Sequence, residues 1–65
     1  MQQPSTVTLT LTLTDDQAWA LAQLLKRAGI DDYRKLAADE LEAYGMRWAG
    51  EILRSELARV GFAPR

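Results

Sequence analysis

Residues 6 to 14 read TVTLTLTLT, with threonine at every even position and Val7, Leu9, Leu11 and Leu13 between them. Successive side chains of an extended chain point to opposite sides, so strict alternation is the pattern of a strand with one face buried. A strand also needs a neighbour, because both of its edges carry unpaired backbone donors and acceptors. No other segment of comparable length alternates with period two, and the ending VGFAPR is short and contains Pro64. The expected solution is a partner strand from another molecule, most simply the same segment of a second copy, antiparallel about a two-fold axis.

The size of the chain favours the same solution. Its 65 residues, 48% of them hydrophobic, suffice for one small domain. A domain of that size buries only ~60% of the surface its unfolded chain exposes. Disulfides, a metal or self-association usually compensate. With no Cys and no His, disulfides are excluded and a metal would have only carboxylates as side-chain ligands. A homodimer is therefore expected, without cofactor or metal. Residues 1–5, MQQPS, read as a disordered lead-in and residues 6–65 as a single small domain.

No run approaches the ~18 consecutive apolar residues of a membrane span, and no signal-peptide pattern is present. The lack of Cys fits a reducing compartment, so the expected location is the cytoplasm, away from membranes. Eight basic and nine acidic residues are interspersed, giving a net charge of -1. That balance provides no long-range attraction for nucleic acid.

The remaining sequence reads as helix. Thr14 with Gln17 forms a capping-box spacing, and Asp15 and Asp16 put negative charge in the first turn. The first helix, DDQAWALAQLLKRA, has Ala18, Leu21, Ala22, Leu24, Leu25 and Ala28 on its apolar face. Gly29 is expected to stop it in a left-handed conformation, with Ile30 packing near Leu25. Residues 30–62 contain no proline. Asp31 or Asp32 is suited to cap a short piece through YRKLA, and Asp39 a longer one, with a break near Ala38. Gly61, Phe62 and Pro64 end that longer helix.

The expected fold class is therefore α+β: one N-terminal strand and two main helices (β-α-α), with an extra short helix between them. On the long helix Leu41, Tyr44, Gly45, Trp48 and Ile52 form one stripe, and Met46, Ala49, Leu53, Leu57 and Val60 a second. Together they exceed the ~100° apolar face of an ordinary surface helix, so this helix is expected to lie between two partners. The small residues Gly45 and Ala49, and Ala18 and Ala22, suit a close approach of the two main helices. The expected dimer core is Val7, Leu9, Leu11, Leu13, Trp48, Ile52 and Leu53.

Catalysis is not expected. Ser5 and Ser55 have no neighbouring base, and the acidic pairs Asp15/Asp16, Asp31/Asp32 and Asp39/Glu40 sit where helix starts need them. The row Thr6, Thr8, Thr10, Thr12 and Thr14 admits three readings: a solvated face, a DNA-reading face, or a protein-docking face. Trp19 stands off the Leu21–Leu25 face beside Gln23, Lys26 and Ile30, which makes these four a candidate protein contact.

Two resemblances follow from these residues. TVTLTLTLTDDQAWALAQLLKRAG and the helix after it resemble the ribbon-helix-helix repressors in element order. That likeness implies an intersubunit ribbon whose outward residues contact DNA. The sequence departs from the pattern by placing threonine where basic or amide side chains usually stand. It also places Asp31/Asp32 or Asp39/Glu40 where phosphate would sit, although a dimer could gather Lys26, Arg27, Arg34 and Lys35 on one side. Second, LTDDQAWALAQLLKR, DYRKLA, EAYGMRWAGE and GFAPR resemble a family of short, functionally uncharacterised proteobacterial proteins often found on mobile elements, which implies no activity. The leading functional reading is a homodimeric protein-interaction or accessory module, and the alternative is a DNA-binding repressor.

Overall fold

The computed structural model describes residues 5–65, so the lead-in reading of residues 1–5 falls, apart from Ser5, outside the described residues. Three helices follow in order: α1 (Asp15–Arg27), α2 (Ile30–Leu36) and α3 (Glu40–Arg59). The α+β expectation is overturned, and the ribbon-helix-helix arrangement with it, because the described residues form helices and no strand or sheet. Residues 5–14 carry no helix, turn or ladder. The alternation specifies which side chains turn inward, but a strand also requires a backbone partner. Here Val7, Leu9, Leu11 and Leu13 instead line a hollow together with side chains of α3.

The helix boundaries follow from local chemistry. The Thr14 hydroxyl accepts from the Gln17 N–H at 3.1 Å, and the Gln17 side chain accepts from the Thr14 N–H at 3.0 Å, a reciprocal capping box. At the start of α3 the Asp39 carboxylate accepts from the Glu42 N–H at 2.8 Å, while Glu42 reaches back to the Ala38 N–H at 3.0 Å. The expected break near Ala38 is therefore present. Gly61 has a φ of 103°. The Phe62 N–H donates to the Leu57 carbonyl at 2.8 Å and the Gly61 N–H to that of Ala58 at 3.0 Å, the two bonds of a Schellman stop.

Gly29 differs from expectation. Its φ is -106°, and it caps the start of α2, with the Asp32 carboxylate accepting from its N–H at 2.7 Å. Asp32 binds the orphan donor of a new helix, and that bond takes the place of a left-handed stop. Arg34 then joins α2 to α3, donating to both Glu40 oxygens at 2.6 and 3.1 Å and to Asp31 at 2.9 Å. These hydrogen bonds, Glu40 first and Asp31 second, raise the guanidinium above the ordinary arginine range.

Both α1 and α2 pack on α3. The core comprises Ala18, Ala22, Leu25 and Leu57, with Leu21, Leu53 and Phe62 partly buried against it. Leu24, assigned to this face on sequence, is exposed. Gly50 is where the three helices meet: a Cβ there would lie 2.6 Å from the Tyr33 hydroxyl of α2 and 3.4 Å from a Leu25 methyl of α1. The Gly50→Ala substitution gains helix propensity but displaces the Tyr33 ring, for an expected net loss of about 1 kcal/mol. In a Tyr33→Phe background the same substitution should instead stabilise, by about 0.5–1 kcal/mol. Urea unfolding of the four chains measures the reversal, and a Gly50→Ala effect independent of residue 33 would refute this account.

Candidate functional site

The 3.6-residue helical repeat places Ala43, Met46, Gly50, Leu53 and Leu57 on the side of α3 that faces the core. Leu41, Tyr44, Trp48 and Ile52, spaced by three, four and four, lie on the opposite side. There Leu41 is 80%, Trp48 61% and Ile52 69% exposed. Trp48 and Ile52, expected in a buried dimer core, are thus surface groups of the single chain, whereas Leu53 packs toward its interior. Tyr44 and Trp48 stack loosely, ring centroids 6.2 Å apart.

The N-terminal segment extends this face. Its odd residues share an open hollow of about 790 Å³ with Ala49, Ile52 and Val60 among others. Their cover grows toward α1, from 82% exposed at Val7 to 38% at Leu13. Thr10 also borders the hollow, while Thr6, Thr8, Thr12 and Thr14 are exposed, and Thr14 is engaged as the α1 cap.

The other sequence-predicted residues are dispersed. Trp19 is 43% exposed and stacks edge-on against Phe62, centroids 5.0 Å apart at 65°. The chain's own C-terminal turn therefore provides part of its cover. Lys26 donates to the Arg65 carbonyl, Gln23 and Ile30 are half-buried, and Ile30 opens α2. Of the basic residues considered for a nucleic-acid face, Lys26 and Arg34 already hold partners within the chain. A smaller hollow of about 370 Å³ lies between α1 and α2, lined by Leu24, Ala28, Tyr33 and Leu36 among others.

Among the described residues no three His, Cys, Asp or Glu side chains converge in a metal-binding group, and no helix is long and apolar enough to cross a membrane. Of the acidic residues named as pairs, Asp32 and Asp39 bind backbone N–H groups at helix starts, Asp31 and Glu40 pair with Arg34, and Asp15 and Asp16 stand in the first turn of α1. Sequence reasoning missed the Trp19–Phe62 pair, whose signal was an aromatic residue directly after the stop glycine.

The chain belongs to a family of unknown function, DUF7706, whose model matches residues 1–65. No curated protein and no solved structure matches it.

If the C-terminal turn is held by its aromatic contact, Trp19→Ala and Phe62→Ala should each destabilise, and the double variant by less than the sum. The expected coupling is about 0.5–1.5 kcal/mol. Thermal unfolding followed by circular dichroism provides the cycle, and additive losses would show that the two rings act independently.

Proposed function

We propose that this member of the family acts by protein association, as a homodimeric accessory module of the cytoplasm, and not by catalysis. The observation that carries the reading is that α3 is apolar on two opposite sides while the chain covers one of them. Among the described residues the buried hydrophobic ones are Ala18, Ala22, Leu25, Ala43 and Leu57, two leucines and three alanines. Apolar burial stabilises at roughly 25 cal/mol per Å², so a core of that composition contributes little compared with what covering the outer face would add. Large contiguous apolar patches on small soluble proteins mark interaction sites, and aromatic side chains at their centre dominate the binding energy.

The reading places self-association on the helical face and assigns no role to backbone pairing between segments. Sedimentation equilibrium should return twice the chain mass, with a dissociation constant of about 1 µM or tighter. Trp48→Lys should return the monomer mass. A wild-type chain that remains monomeric well above that concentration would defeat the proposal.

A further inference from the structure

The outer side of α3 carries a projection and a gap close together. Trp48 projects from it, and Gly45, one turn earlier, leaves a space beside it. Glycine in a helix interior weakens the helix relative to alanine. Gly50 has a reason within the chain, in the Tyr33 ring that lies over it. Gly45 has none: it is exposed, and a Cβ there would meet nothing within 4 Å. A body outside this chain accounts for the missing side chain.

Resting on the self-association reading above, we propose that this body is a second copy of the chain, packed α3 against α3. The helices run antiparallel about a two-fold axis between Met46 and Arg47, and each Trp48 fills the space over the partner's Gly45. In a two-fold contact residue i meets the partner's j and j meets the partner's i. About this midpoint position 45 faces 48, 44 faces 49 and 41 faces 52. All six of these residues are exposed on the outer side of α3. The pairing sets Trp48 on glycine, Tyr44 on Ala49, and Leu41 on Ile52, so large meets small at the centre and aliphatic meets aliphatic at the ends. A partner of different sequence would need no such symmetry about one point.

Area supports the same occupant. The outward side chains of α3, together with the apolar ones of residues 7–13 and Val60, expose on the order of 1,000 Å² per chain, against ~800 Å² per partner in a standard interface. Glycine at the crossing allows the axes to approach at or below the usual 8–10 Å. At the rim Glu51 faces the partner's Glu42, and Arg54, 3.9 Å from Glu51 in its own chain, offsets that like charge.

The absence of native cysteine makes the register directly testable. Positions 41 and 52 are about 16 Å apart along one helix, too far to bridge within a chain. Mild oxidation of Leu41→Cys/Ile52→Cys should yield a covalent dimer, while neither single variant links. Linking by a single variant, or a double variant that sediments as a dimer yet stays unlinked, would overturn the register and leave self-association standing. A monomeric wild type would defeat both. Because the cysteines remove stripe side chains, Gly45→Leu provides a second measurement. It should weaken the dimer by about tenfold or more without lowering the helicity of the dilute chain, and an unchanged dissociation constant would overturn the proposal.

Discussion

A helix with apolar side chains on two opposite sides must find cover twice, and this requirement on α3 governs the rest of the molecule. On the inner side the cover comes from Ala18, Ala22 and Leu25 of α1 and from Tyr33 of α2. The alanines keep α1 close, and Gly50 seats the Tyr33 ring. The outer side, with Leu41, Tyr44, Trp48 and Ile52, receives nothing comparable from the chain. Among the described residues no further helix lies over it.

The shorter elements hold their positions through the ends of helices more than through burial. Helix α2 has seven residues and none of them is buried. A free peptide of that length would not remain helical. It persists because it packs on α3, with Asp32 bound to the Gly29 N–H at one end and the exposed Arg34–Glu40 pair beyond the other. Tyr33 is thereby delivered over Gly50, so the polar contacts of α2 serve an apolar one. The exposed ion pairs elsewhere, Glu51 with Arg54 and Glu56 with Arg59, are surface contacts of small value.

Features that depend on neighbours three or four residues away were legible in the sequence. The Thr14–Gln17 box, the Asp39 cap, the break near Ala38 and the Gly61–Phe62 stop all involve groups within one helical turn. Gly29 was misread because two local motifs compete for it, and the Asp32 side chain decides between them. The TVTLTLTLT segment was misread for a different reason. Periodicity reports which side chains share a face, and Val7 to Leu13 do share one, but it carries no information on whether a backbone lies alongside. Trp48 was assigned to a core shared by two subunits because its stripe is apolar; on the single chain it is exposed, and apolarity alone does not name what covers it.

Residues 5–14 have a consequence for the life of the polypeptide before it is folded. The run contains no charge and no proline, and its threonines, valine and leucines are the composition from which cross-β stacks form. The charged groups that follow it directly are Asp15 and Asp16, which belong to α1. Flanking charges of this kind act as gatekeepers against aggregation. In the folded chain the aliphatic residues of this run remain 38% to 82% exposed, so Asp15 and Asp16 guard the segment after folding as well as before it.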